Sequence, residues 1–381
     1  MEEGSAFTSV EAPDSRTHEA LDGLEFARGA SDSKWGSVRA AMGHPEPFDL
    51  KYVAVGNEDC WKKNYRDSGR KTSFRTQIYV LFLPGNYLKF YDAIKRAYPD
   101  IKIISNCDGS SYFLDHPADY YDFHIYTSAS HLFSMTHQFD HTSRSGPKAF
   151  VSEYAVTGKD AGTGSLLAAL AEAGFLIGLE KNRFVIVVPA LLRCYQCASQ
   201  CSSDIVEMAS YAPLFVNDND RRWNPDAIVF NSSMHYGTPS YWVQKFFRES
   251  SGATLLDANL QTNSSSLVAS AITWTNSVDG ETYLKIKANV FSDCEFWEQA
   301  RESRSFTNLL HLFLHLGECH PAYPFRHLHV MQVVPDLSLL ENADKDMNII
   351  IAPYSLTSLD LLTESNTIRM PQTDSSAGSS I

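Results

Sequence analysis

Short apolar runs alternate with amphipathic stretches from Trp35 to about Phe215. The runs are Lys51–Gly56, Asp100–Asn106, Tyr120–Tyr126 and Lys148–Tyr154, with Met208–Phe215 as a fifth. Runs that are apolar on both alternating faces suit strands covered on two sides, as in parallel sheets. Between them, Tyr87, Phe90, Tyr91, Ile94 and Tyr98 fall at helical spacing and predict a helix that Pro99 stops. Leu166, Leu170, Ala173 and Ile177 predict a second apolar helix face, and Leu132–Phe139 a third helix. Strand–helix alternation of this kind builds βαβ units, hence a doubly wound sheet or a (β/α)8 barrel.

The pattern changes after about Gly237. Leu267–Trp274, a turn at Val278-Asp-Gly280, and Thr282–Lys287 read as an antiparallel hairpin, the start of a β-sandwich. Two stretches break the earlier rhythm where short connections are expected. Asp67–Pro84 is basic (Arg70, Lys71, Arg75) and runs into Ile78–Leu83, while Arg183–Ser202 is apolar and ends in a cysteine cluster. The expected organisation is a loose segment over 1–34, a partial barrel over 35–236 interrupted at 67–84 and 183–202, a partial sandwich over 237–288, and a divergent, partly disordered tail over 289–381. The fold class is α/β, an incomplete (β/α)8 TIM barrel followed by a partial β-sandwich.

Composition narrows the function classes. The 381 residues carry a formal net charge of -13, which argues against a nucleic-acid partner, since phosphate binding needs clustered Lys and Arg. Phe184–Leu192 is the most apolar stretch and is too short to span a bilayer, so no membrane association is expected. Met1–Arg28 is polar, without the apolar core of a signal peptide. The 7 cysteines form no dense, even framework. Cys60 and Cys107 follow strand ends and could approach one another, but free buried cysteines are the simpler reading. Asn231 and Asn263 head glycosylation sequons, meaningful only in a secreted chain.

The candidate chemistry lies at two strand ends. Val55-Gly-Asn-Glu-Asp59 closes the first run and Val151-Ser-Glu-Tyr154 closes a later one. Barrel active sites sit at the C-terminal ends of strands. Two carboxyls facing each other there are what glycoside hydrolysis requires: one donates a proton to the leaving oxygen, the other attacks or stabilises the anomeric carbon. Against this, a single Glu at a strand end is usually just an exposed loop residue. Asn57, beside Glu58, is placed to bond a sugar 2-hydroxyl. Cys194, Cys197 and Cys201 have partial zinc spacing but lack a second paired half. His311 and His315 stand four apart on an expected helix, with no hydrolytic Glu between them, and read as packed or solvated histidines. Trp223 and Trp242 are candidate sugar platforms, with packing favoured for Trp242. Asp59 either tunes Glu58 or caps its loop.

These motifs sit within longer runs: Trp35–Phe48, Tyr52–Cys60, Ile103–Gly109, His116–Tyr126, Phe150–Val156, Ala212–Asp218 and Trp223–Ile228. Over about residues 18–288, apart from the two interruptions, the chain resembles the plant α-L-arabinofuranosidases of glycoside hydrolase family 51. The resemblance implies that Glu58, at the end of barrel strand four, is the acid/base and Glu153, at the end of strand seven, the nucleophile. His124 and Tyr126 match the strand-six pair and imply contact with arabinose or orientation of Glu153. It implies double displacement with retention, on arabinoxylan, arabinan or arabinogalactan, in the extracellular cell wall, with no metal or organic cofactor. Most of the family's long N-terminal half, including barrel strands one to three, is expected to have no counterpart here. Removing the two interruptions joins their flanks into family-like runs, which suggests translated non-coding sequence or a faulty gene model. After about Lys287 the resemblance is expected to stop. The alternatives are a non-catalytic remnant with weak or no sugar binding, or a related xylosidase or endoglucanase.

Overall fold

Five strands form a parallel sheet in chain order: β1 (Tyr52–Val55), β2 (Lys102–Ser105), β3 (Tyr120–Thr127), β4 (Lys148–Val156) and β5 (Val206–Ala209). Each neighbouring pair is parallel. The computed structural model describes residues 15–62, 64–65, 85–182, 205–224, 226–258, 260–292, 296–301, 306–314, 336–340 and 346–363, with only the backbone of 15, 296–301, 306–314, 336–340 and 346–348. Asp67–Pro84, Arg183–Ser202, His315 and the Ser-rich end lie outside the described residues. The helices are α1 (Ser15–Arg28), α2 (Gly36–Ala41), α3 (Asn86–Ala97), α4 (Ala129–Ser134), α5 (Leu166–Lys181) and α6 (Pro239–Phe246). Helices α3, α4 and α5 follow β1, β3 and β4, as βαβ winding requires.

Three expectations need correction here. The segment over 1–34 is not loose throughout, because α1 occupies Ser15–Arg28. Its apolar signal is small: Leu24 is buried beside Ile94 and Ile101. The helix is held instead by polar contacts. The buried Arg39 guanidinium donates to the carbonyls of Phe26 and Ala27 at the helix end, and Arg28 pairs with Asp100 at 2.8 Å. The fifth strand does not run to Phe215. It stops at Ala209, before Pro213, which has no N–H for a ladder, and Phe215 opens β6 (Phe215–Asn217) in a separate sheet with β7 (Ile228–Phe230) and β8 (His235–Gly237). Helix α5 is buried on every side rather than along one face.

The reason for that burial is a second unit packed on its outer side. Strands β9 (Thr254–Leu255), β10 (Leu267–Thr275), β11 (Thr282–Val290), β12 (Phe296–Arg301), β13 (Phe306–Leu314), β14 (Asp336–Leu340), β15 (Asp346–Ile351) and β16 (Ser355–Thr363) are all antiparallel where paired. The main sheet has the order β14-β13-β16-β11-β10-β9, and β12 pairs with β15. The expected hairpin is β10–β11, in register from Leu267↔Val290 to Thr275↔Thr282. The expected divergent tail over 289–381 is instead the source of five strands, and β16 lies beside β11 in the middle of the sheet. Its period was hidden because Thr357, Ser358 and Asp360 are buried along with Leu356, Leu359 and Leu361. His311 lies on β13, a strand and not the helix expected.

The two units share one interior. The core around α5 and β4 continues to Val268 on β10 and Leu356 on β16. Gly178 lets α5 approach the carbonyl oxygen of Thr136, which a Cβ would meet at 1.9 Å. Lys287 on β11 reaches Glu180 on α5 at 2.6 Å, with both side chains buried. Ser250 donates to the same carboxylate at 2.5 Å, and Ser270 donates to its other oxygen. Burial pushes the Glu180 carboxyl up, but the Lys287 charge and hydrogen bond outweigh it and hold it below its usual range. A buried pair satisfied this fully is costly to break, because removing one partner strands the other charge.

Candidate active site

Strand β1 stops at Gly56, which has φ 92. A Cβ there would lie 2.6 Å from the Tyr65 ring, so glycine is needed both for the turn and for the close approach. Asn57 and Glu58 follow directly, at the C-terminal end of the strand. Glu58 has φ 50, a left-handed conformation that residues with a Cβ seldom adopt. The surrounding contacts hold it. Tyr65 donates its hydroxyl to the Val55 carbonyl at 2.5 Å and accepts from the Asn106 N–H at 2.8 Å. The Asp59 N–H donates to the Asn106 side chain, while Asp59 accepts from the Asn57 N–H at 3.2 Å and pairs with Lys62. Lys62 and the Asn57 N–H hold the Asp59 carboxyl below its usual range. Asp59 thus caps the loop. Cys60 is disulfide-bonded to Cys107, so the free-cysteine reading is corrected: the loops after β1 and β2 are covalently joined.

Glu153 comes from inside a strand. On β3, Asp122, His124 and Tyr126 alternate along one face, and His124 stands opposite Glu153 on β4. The register shifts between Asp122 and His124, the kind of irregularity that re-aims side chains next to sites. It lets Ser152 donate to Asp122 Oδ1 while Glu153 Oε2 accepts from the Tyr126 hydroxyl at 2.8 Å. Burial and the Glu153 hydrogen bond both push the Tyr126 hydroxyl well above its usual pKa, so it stays a donor.

His124 bridges the two ends. Its Nε2–H donates to Asp122 Oδ2 at 2.9 Å, while Nδ1 lies 3.4 Å from Glu58 Oε1 and 3.6 Å from Glu153 Oε2. Burial would lower its pKa, but Asp122, then Glu153 and Glu58, raise it to about 9. His124 is therefore an imidazolium at neutral pH. The facing atoms of Glu58, His124 and Glu153 all lie within 4.8 Å of one another. The carboxyl spacing of a retaining glycosidase is about 5–5.5 Å, against about 6.5–9.5 Å for an inverting one. Glu58 is the more open of the pair, with 61% of its side chain exposed against 28% for Glu153.

The structure thus brings Glu58, Glu153, His124 and Tyr126 together, with Asn57 exposed next to Glu58. Trp223 is half-exposed and stands edge-on to Tyr126 at 5.7 Å, whereas Trp242 packs against the core. Sequence reasoning missed Asp122 and Ser152. Asp122 had a legible signal, two residues before His124 on a strand; Ser152 had none, because its alignment depends on the register shift.

Comparison with known proteins gives a consistent picture. A family described as "Alpha-L-arabinofuranosidase 1 domain" matches residues 3–144, and one described as "Alpha-L-arabinofuranosidase C-terminal domain" matches 195–368. The second match overturns the expectation that the resemblance ends near Lys287. Alpha-L-arabinofuranosidase 1 and 2 of Arabidopsis thaliana are 60% and 54% identical, each over 94% of this chain and 48% of its own length. An extracellular exo-alpha-L-arabinofuranosidase of Streptomyces chartreusis is 32% identical over 64% of this chain and 26% of its own. The chain spans about half the length of the Arabidopsis relatives. In fold it is similar to an arabinose-bound family 51 α-L-arabinofuranosidase, with TM-score 0.68 and 23% identity over 91% of this chain and 51% of that one.

Proposed function

Because this chain belongs to the α-L-arabinofuranosidases of glycoside hydrolase family 51, we propose that it carries the catalytic pair of a retaining enzyme that releases terminal α-L-arabinofuranosyl groups. The observation that carries this reading is the approach of Glu58 and Glu153 within 4.8 Å around His124. Glu153 attacks the anomeric carbon. Glu58 protonates the departing glycosidic oxygen, and the C–O bond breaks as the ester to Glu153 forms. Glu58 then takes a proton from water, which displaces Glu153 and frees arabinose with retained configuration. Tyr126 holds Glu153 Oε2, and the His124 charge offsets the crowding of two carboxylates. Asn57 is assigned to the sugar 2-hydroxyl and Trp223 to the edge of the sugar site.

The substrates assigned are arabinoxylan, arabinan and arabinogalactan, outside the cell. The Cys60–Cys107 bond supports an oxidising compartment, and among the described residues no helix is long and apolar enough to cross a membrane. The test is release of a chromophore from an aryl α-L-arabinofuranoside, with Glu153→Ala as control and aryl xyloside and glucoside as comparisons. Arabinose release above the control is expected. No release above it supports the alternative of a chain that binds sugar weakly or not at all, and preference for another glycoside overturns the arabinofuranosyl assignment.

A further inference from the structure

The atoms that face one another in this site also fit a metal ion. We propose that Glu58, His124 and Glu153 bind zinc(II) reversibly, and that the bound ion shuts the site. A zinc bond to His nitrogen or carboxylate oxygen is about 2.0–2.2 Å long, which puts neighbouring ligands of a tetrahedral ion roughly 3.4 Å apart. His124 Nδ1 already stands 3.4 Å from Glu58 Oε1 and 3.6 Å from Glu153 Oε2. The two carboxylates are within 4.8 Å, and the exposed Glu58 side chain is free to close the difference by rotation. A fourth position stays open to water.

A second, independent feature is the far side of the imidazole. Histidines that bind zinc hand their other N–H to a carboxylate, which fixes the ring and raises its basicity. Here Nε2–H donates to the buried Asp122, itself held by Ser152. Nδ1 is thereby aimed at both glutamates, and the incoming ion takes the place of its proton, which leaves to solvent. One imidazole and two carboxylates suit zinc, whereas calcium and magnesium favour all-oxygen sets. Binding of the ion does not depend on the proposed hydrolysis; inhibition rests on it.

The test strips the full chain with a chelator, then titrates it with zinc chloride alone by calorimetry and with cobalt(II) by visible absorption. Histidines and cysteines elsewhere will bind some metal, so the readout is the difference between variants. The parent is expected to bind one more zinc equivalent than Glu58→Gln or His124→Ala, and Asp122→Asn to bind that equivalent about tenfold more weakly. Glu58 is exposed, so Glu58→Gln retains the fold, and circular dichroism checks the others. Superimposable titrations of parent, Glu58→Gln and His124→Ala overturn the site. If the extra equivalent binds and the parent has no activity to inhibit, the metal site stands and the hydrolase reading fails. If it binds and saturating zinc leaves hydrolysis unchanged, the inhibitory site is refuted.

Discussion

Glu58 and Glu153 arrive at one place by unlike routes. Glu153 projects from a nine-residue strand flanked on both sides in the sheet, and its contacts come from the neighbouring strand: Tyr126 at 2.8 Å and His124 at 3.6 Å. Glu58 sits beyond a four-residue edge strand, in a left-handed conformation on a loop. Its position is set by the Tyr65 and Asp59 hydrogen bonds and by the Cys60–Cys107 crosslink. Backbone ladder holds one carboxylate; side-chain and covalent ties hold the other. A nucleophile must approach carbon along a fixed line, whereas an acid/base serves two partners in turn and benefits from access to water.

The largest effects should separate the two roles proposed for Glu153 and Glu58. Glu153→Gln is expected to lower kcat by about 10⁴-fold or more with every leaving group. Glu58→Gln should cost about 10²–10⁴-fold on a poor leaving group and far less on an activated aryl one, which departs without a proton. Equal losses across a leaving-group series would end the assignment of distinct roles.

Next, opening the crosslink should strike the Glu58 side. Cys60 and Cys107 are 47 residues apart, a loop whose closure contributes about 4 kcal/mol of stability. The Cys60→Ser, Cys107→Ser double variant should unfold at lower urea by that amount, and its activity loss should follow the leaving-group pattern of Glu58→Gln. A loss independent of the leaving group would show that the loop does not specifically serve Glu58.

His124 tests the junction. Its folded pKa is about 9, against about 6.5 when unfolded. The raised value means its stabilisation is complete below pH of about 6.5 and is lost as pH rises through about 9, up to about 3 kcal/mol. The difference in urea stability between parent and His124→Gln, followed from pH 6 to pH 10, should shrink across that window. A flat difference would mean His124 does not bridge the carboxylates as an ion.

The smallest expected effect is on the strand side. Tyr126→Phe removes one hydrogen bond to a charged oxygen, worth about 1.5 kcal/mol, or roughly tenfold in kcat/KM. That loss should combine additively with Cys60→Ser if the two carboxylates are held independently. Marked coupling would erase the contrast between them.

Four of the five parallel strands and helices α3 and α5 were legible from apolar runs and helical spacing, and Glu58 and Glu153 from their places closing apolar runs, although Glu153 lies three residues inside β4. What escaped did so for identifiable reasons. Helix α1 is pinned by Arg39 and Arg28, not by an apolar stripe. Strand β16 buries Thr357, Ser358 and Asp360 between neighbours, so its alternation vanished from the hydropathy.

By itself, the order of residues determined which segments could become buried strands, where glycine and proline must end them, and which two acids close the apolar runs, because those properties depend on near neighbours in the chain. Only tertiary structure decided that Cys60 meets Cys107, that Ser152 reaches Asp122 across a shifted register, and that one imidazole spans both carboxylates. Those contacts join residues 29 to 66 positions apart, and such distances close only when strands pair.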